Sequence, residues 1–354
     1  MSRTAARRIR EVDDHRGGVT APGALEMLPG PPGARWSPRT WIDRGRGLLT
    51  GHGLKENVRE MYRYLAREYE GPSDRVFLFG FSRGAFTVRA LAGLLYRCRL
   101  PARGAPDVDA RFERAWALYE PIHEDAAAVA RLAAEQRPCD VHFLGVWDTV
   151  KSYGGLDPVM LPHLRHNPIV ANVRHALALD ERRAWFKATT WGLLDRDEDG
   201  AMTRLRDADR PRYARQSIAE VWFTGCHSDI GGGGREETTA RIALRWMLGE
   251  AVEVAPPLGL NAAGEALLAR PDPPGRPEVH ESSSRSWRVV EALPRREIDN
   301  DGEYPRSLPA RGSDGRRDPT TLLRGGTYDV HATVPGGAFL PGGPRVVATK
   351  APPG

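Results

Sequence analysis

Cysteine is scarce in this chain. Cys98, Cys139 and Cys226 are three in number and form no CxxC spacing. That excludes a disulfide framework and a zinc knuckle, and leaves the thiols as small apolar filler for a core. Lysine is almost as rare, standing only at Lys55, Lys151, Lys187 and Lys350, so the formal charge of +5 is carried by arginine. With Ala, Gly and Pro abundant, this bias reads as GC-rich coding rather than selection for a polyanion. No basic stripe interleaved with aromatics occurs, which excludes a nucleic-acid partner but leaves peripheral contact with an anionic membrane open. No run approaches the roughly 18 apolar residues of a membrane span. Arg3, Arg7, Arg8 and Arg10 are followed by no apolar stretch, so no secretory signal is expected: the chain reads as made in the cytoplasm, with any export non-classical. No repeat of fixed period appears.

What is present is apolar sequence in two rhythms. The chain has 354 residues, 40% of them hydrophobic, enough for a sizeable core. Residues 1–40, with "LPGPPGARWSP", read as an irregular arm or truncated start. In "LKENVREMYRYLAREYEG" Leu54, Val58, Met61, Tyr62 and Leu65 share one helical face, and Gly71 and Pro72 stop it. Three short continuous apolar runs, "RVFLFGF", "DVHFLGVWD" and "EVWFTGCH", are too short for helices and suit strands buried on both faces. Helical patterns lie between them, so the fold expected is α/β, a mostly parallel sheet with helices on both faces. The domain is expected over 41–295, with an Ala-rich helical insertion at 105–137 and a charged loop at 195–212, followed by a loop-rich segment at 296–354. "HALALDERR", residues 175–183, is expected to begin a helix, with Asp180 and Glu181 pairing Arg182, Arg183 or other charges.

The chemistry centres on Gly80-Phe81-Ser82-Arg83-Gly84, a G-x-S-x-G pattern with a strand before it and a helix after it. A sharp turn at such a junction strains the serine backbone and demands small flanks, here Gly80 and Gly84, while the hydroxyl projects above the sheet. The N–H of Arg83, at the start of the new helix, is the expected oxyanion donor. Serine needs a base, and the base needs an orienting acid. The other two apolar runs end in Asp148 and His227, and parallel strands gather their C-terminal ends on one rim. Ser82, Asp148 and His227 therefore form the expected triad, with Asp180 and Asp229 as rival acids and Gly231 to Gly234 freeing the backbone beside the histidine. An aspartate after a strand also caps turns, and a histidine is often only a satisfied core residue.

Together "LFGFSRGAFTVRALAGLL", "FLGVWDTV", "HALALDERR", "VWFTGCHSDIGGG" and "VHESSSRSW" resemble a bacterial family of α/β-hydrolases that includes type VI secretion lipase effectors. The likeness runs from about Gly33 to about Trp287. It implies an α/β-hydrolase fold, a triad of Ser82, Asp148 and His227, and a phospholipase-like carboxylic ester hydrolase acting on a phospholipid or other acyl ester. Secretion machinery or an immunity protein are left open as partners, and the triad mechanism requires neither metal nor organic cofactor. Family members usually carry an early apolar strand ending in Asp-Gly-Thr, and none precedes Ser82, so the N-terminal strand is expected to be missing along with the second oxyanion donor of its loop. The competing expectation is a catalytically impaired relative that binds a partner or a lipid surface.

Three further features carry weaker signals. Asp195, Asp197, Asp199 and Gly200 reproduce half of a calcium loop, but Arg206 stands where the bidentate Glu belongs, so a solvated loop is favoured over calcium. Phe112, Trp116, Leu118 and Tyr119 of the insertion suit either an acyl-chain lid or docking on the domain. His280 shares the family likeness without a role that chemistry assigns.

Overall fold

The computed structural model describes residues 51–121, 125–150, 153–154, 157–158, 161–183, 186–191, 207–232, 238–272, 277–280, 282, 295–298, 305–308, 329–332 and 345–347. The arm at 1–40 and most of the charged loop, with Asp195, Asp197 and Asp199, lie outside them. The first element is helix α1, Gly51–Glu68. Strand β1, Val76–Phe81, runs into helix α2, Arg83–Cys98, at Ser82. The insertion forms α3, Val108–Tyr119, and α4, Ala126–Ala134, the latter capped by Asp125 accepting from the Ala128 N–H at 2.9 Å. Strands β2, Val141–Trp147, and β3, Val170–Ala178, follow. After them come the short helix α5, Arg210–Ala214, strand β4, Ser217–Phe223, and the turn-like helix α6, His227–Gly231. Helices α7, Thr238–Glu253, and α8, Ala262–Ala269, precede two short strands, β5, Asp329–His331, and β6, Arg345–Val347.

The six strands form one sheet in chain order, and every pairing is parallel. The expected α/β architecture is therefore present. Two short antiparallel pairs, 153–154 with 157–158 and 295–298 with 305–308, stand apart from it. The sheet is buried on both faces because its residues alternate between two cores. Leu78, Leu144, Val146 and Val173 pack with Val58, Tyr62, Phe86 and Leu91 on the side of α1, α2 and α3. Phe143, Ala176, Val221 and Phe223 pack with Ile242, Trp246 and Met247 of α7 on the other. Helix α2 buries residues all round its axis, the signature of a helix enclosed between layers.

Several sequence expectations need correction here. "HALALDERR" does not begin a helix: residues 170–178 are a strand, β3, set between β2 and β4, and 179–183 leave it as a loop. The strand's His175 and Arg174 are buried because Glu220 and Glu250 pair them. The loop-rich C-terminal segment supplies β5 and β6 to the sheet. The insertion's Phe112, Trp116 and Tyr119 are buried in the core shared with α1 and α2, with Leu118 partly buried against it, which is the docking arrangement rather than a lid. Cys98, Cys139 and Cys226 are free thiols and all buried, as their scarcity suggests. Burial pushes the Cys226 thiol up to about 11 and Cys139 to about 12, so neither is poised for thiolate chemistry. Among the described residues no helix is long and apolar enough to cross a membrane, and no cluster suits a metal ion.

Candidate active site

Three loops leave the C-terminal ends of β1, β2 and β4 on one rim of the sheet. The ladder continues one step beyond β1 and β2: the Ser82 N–H donates to the Trp147 carbonyl at 2.9 Å, and the Asp148 N–H to the Ala176 carbonyl at 2.7 Å. Ser82 then turns with φ 56° and ψ −118°. That left-handed backbone costs a residue with a Cβ about 1–3 kcal/mol, a strain that the flanking strand and helix hold in place. Asp148 is also in the left-handed region, at φ 38°. The two expected flanks differ. An added Cβ at Gly80 would lie 2.5 Å from the Gly84 carbonyl oxygen, whereas one at Gly84 would meet nothing within 4 Å. Gly80 is required by the close approach of the helix, and Gly84 is not.

The structure brings the three expected residues together. Ser82 Oγ lies 2.7 Å from His227 Nε2, and His227 Nδ1 lies 2.6 Å from Asp148 Oδ2. All three side chains are buried. Asp148 Oδ1 also accepts from the Ala178 N–H at 3.1 Å, which turns the carboxylate so that its other oxygen faces the imidazole. With the carboxylate on Nδ1, the imidazole carries its proton there and presents the Nε2 lone pair to the serine hydroxyl. Arg83 is the first residue of α2, in the turn where helical N–H groups lack intrahelical acceptors. Burial draws its guanidinium pKa below the usual arginine range.

Neither rival acid takes the place of Asp148. Asp180 accepts the Gly225 N–H at 2.7 Å, and Asp229 accepts the Cys226 N–H at 2.9 Å; the two carboxylates hold successive N–H groups of the turn that leads into α6. Asp229 also explains His280, whose Nδ1 stands 2.6 Å from Asp229 Oδ1 and whose N–H donates to Oδ2 at 3.1 Å. The segment at 277–280 is thereby tied to the histidine turn. Of the glycine run, Gly231 and Gly232 are described, and a Cβ on Gly231 would lie 2.1 Å from the Phe81 ring.

Other groups around His227 had no individual signal in the sequence. Phe81 lies against its ring at 4.6 Å between centroids and Phe186 approaches edge-on at 4.8 Å, so the imidazole is held between two aromatics. Arg183 sits over Phe186, 3.7 Å from the ring centroid, and is paired to Glu181 at 2.8 Å. The expected pairing of Glu181 with Arg183 is present, and Glu181 also accepts the His227 N–H at 3.2 Å.

The model of the type VI secretion phospholipase effector Tle1-like catalytic domain matches residues 29–250. An uncharacterized protein of Saccharomyces cerevisiae is 35% identical over 146 residues, covering 38% of this chain and 21% of the yeast protein. Two solved structures are similar at low identity. An uncharacterized protein from Pseudomonas aeruginosa has a TM-score of 0.32 and 22% identity over 64% of this chain and 31% of its own. The Tle1 effector bound to the VgrG spike of a type VI secretion system has a TM-score of 0.25 and 19% identity over 54% of this chain and 32% of its own. This chain thus spans a third or less of the length of each of these relatives. With the match covering more than half of its residues, the chain belongs to the family of Tle1-like phospholipase effector catalytic domains of type VI secretion.

Proposed function

We propose that the chain is a serine-dependent carboxylic ester hydrolase of the phospholipase type, working through an acyl-enzyme within an α/β-hydrolase domain that takes in residues 41–295. The observation that carries the reading is the unbroken chain Ser82 Oγ, His227 Nε2, His227 Nδ1, Asp148 Oδ2, with contacts of 2.7 and 2.6 Å. In the first half-reaction the Ser82 oxygen attacks the ester carbonyl while its proton passes to His227 Nε2. Asp148 stabilises the imidazolium that forms. The carbonyl oxygen, now negative, is positioned for the Arg83 N–H at the N-terminus of α2. Collapse expels the alcohol, which takes the proton from His227, and leaves the acyl group on Ser82. Water then repeats the sequence with His227 as base and releases the acid. No step calls for a metal or an organic cofactor. A phospholipid substrate and delivery by type VI secretion machinery form part of the same proposal, and family membership supports them.

The test is covalent labelling of the purified chain with a fluorophosphonate, followed by hydrolysis of phospholipid micelles and of soluble short-chain esters. We expect Ser82 to be labelled and Ser82→Ala to lose both labelling and turnover. Folded protein that does not label, or labelling that survives Ser82→Ala, refutes the nucleophile. Equal or greater turnover of soluble esters than of micelles refutes the phospholipase assignment alone.

A further inference from the structure

Beneath the triad lies a second set of charged groups that the reaction does not touch. His175, in the middle of β3, is fully buried, as is Arg89 of α2. His175 is the register partner of Glu220 on β4 and of Val146 on β2, so it stands between the strand that delivers Asp148 and the strand that leads to His227. Its two nitrogens have opposite roles. Nε2 accepts the Thr149 N–H at 3.1 Å, so the ring proton belongs on Nδ1, which lies 2.7 Å from Glu220 Oε1 and donates to it. Glu220 Oε1 accepts the Trp191 N–H as well, at 2.7 Å.

The next peptide is held from its other side too. The Thr149 carbonyl accepts the Thr189 N–H at 2.8 Å, and the Thr189 carbonyl accepts from Arg89 Nη1 at 3.0 Å. Arg89 Nη2 stands 3.3 Å from His175 Nδ1. A cation at that distance, Glu220 at the same nitrogen and Asp148 beyond Thr149 are the charged groups that face the ring. Burial above all, with Arg89 adding to it and Glu220 and Asp148 opposing, lowers the His175 pKa. The three groups therefore reach each triad-bearing element: Arg89 the helix that Ser82 opens, His175 the turn of Asp148, Glu220 the strand before His227.

Resting on the proposed triad, we infer that His175, fixed in its Nδ1–H tautomer by Glu220, is a positioning residue that sets the Asp148 carboxylate on His227 through the Thr149 N–H. Asp148 occupies a left-handed backbone conformation at φ 38°, which relaxes unless both neighbouring peptides are anchored. Its own N–H is anchored in the ladder, and the only anchor of the following N–H among the described residues is His175.

The experiment compares His175→Asn and His175→Gln in the full chain. Asparagine reaches only the place of Nδ1 and leaves the Thr149 N–H without an acceptor, whereas the glutamine amide reaches the place of Nε2. Expected for His175→Asn is a kcat lowered about 10- to 100-fold at unchanged KM. The acid limb of its kcat/KM profile moves to lower pH, because a displaced Asp148 stabilises the His227 imidazolium less. His175→Gln is expected to recover most of the loss. A purely structural role would instead lower both variants together, in proportion to the folded fraction, and leave the pH profile in place; that result, or wild-type kcat in both, overturns the inference. Nitrogen-15 shifts of His175 in the unmodified chain give a second reading that needs neither variant nor substrate: a neutral ring with its proton on Nδ1 is expected, and a proton on Nε2 overturns it. If Ser82→Ala stays active, the triad has failed, and the nitrogen shifts still decide the tautomer.

Discussion

At Ser82 function and backbone preference oppose each other. The residue needs its hydroxyl for the contact with His227 Nε2 at 2.7 Å, yet its φ of 56° is a conformation that suits glycine. Replacing it separates the two demands. Ser82→Ala and Ser82→Gly both lose the hydroxyl and are expected to be inactive toward ester and fluorophosphonate alike. Glycine ordinarily destabilises relative to alanine, but at this position it relieves the clash of Cβ with the backbone. Ser82→Gly is therefore expected to be more stable than Ser82→Ala by about 1 kcal/mol. Chemical denaturation of the two variants measures the difference, and an alanine variant that is the more stable contradicts the strained elbow. Ser82, His227 and Asp148, the proposed nucleophile, base and acid, were legible in the sequence because each ends an apolar run. The clamp of Phe81 and Phe186 on His227 was not, since Phe186 comes from a loop more than 40 positions away and nothing local marks it.

The elbow between β1 and α2 shows what a motif does and does not specify. G-x-S-x-G treats its glycines alike, but the first carries the steric demand: a Cβ on Gly80 would sit 2.5 Å from the Gly84 oxygen and 2.7 Å from the Ala85 nitrogen, both backbone atoms that cannot move aside without unwinding the helix start. Gly84, second residue of α2, has open space where its Cβ would be. Gly80→Ala is expected to cost about 1–3 kcal/mol and most of the labelling rate. Gly84→Ala is expected to keep the fold and to gain up to about 1 kcal/mol from helix propensity. Thermal melts with parallel labelling check both, and equal losses would show that the elbow is packed differently. At this scale the sequence yielded β1, β2 and β4, each of which ends on an apolar stretch. It hid β3, because "VANVRHALA" carries an arginine and a histidine that a pattern reader assigns to a surface. Only the pairing of Arg174 with Glu250 and of His175 with Glu220, 76 and 45 positions away, makes them core residues.

For the molecule as a whole, the seam between β4 and the late strand β5 joins distant parts of the chain, since β4 leads directly to His227. Strands of three residues, such as β5 and β6, leave no readable periodicity, which is why the C-terminal segment gave no strand signal in the sequence. Their docking is sealed by His331, fully buried, stacked on Phe223 at 4.8 Å with an interplanar angle of 18°, and 3.9 Å from Asp272. Burial pushes the His331 pKa from 6.5 down to about 4, with Asp272 opposing and Arg245 reinforcing the shift. Folding thus favours the neutral ring. The contribution to stability is complete above pH 6.5 and is lost as pH falls from there through about 4, because across that window the unfolded chain binds the extra proton. The shift corresponds to a loss on the order of 3 kcal/mol. His331→Phe keeps an aromatic ring on Phe223 and removes the proton site, so its stability is expected to fall less than that of the unmodified chain between about pH 7.5 and about pH 4.5. Urea denaturation at the two values measures this double difference, and parallel losses in both proteins would show that His331 does not carry the acid sensitivity of the seam behind His227.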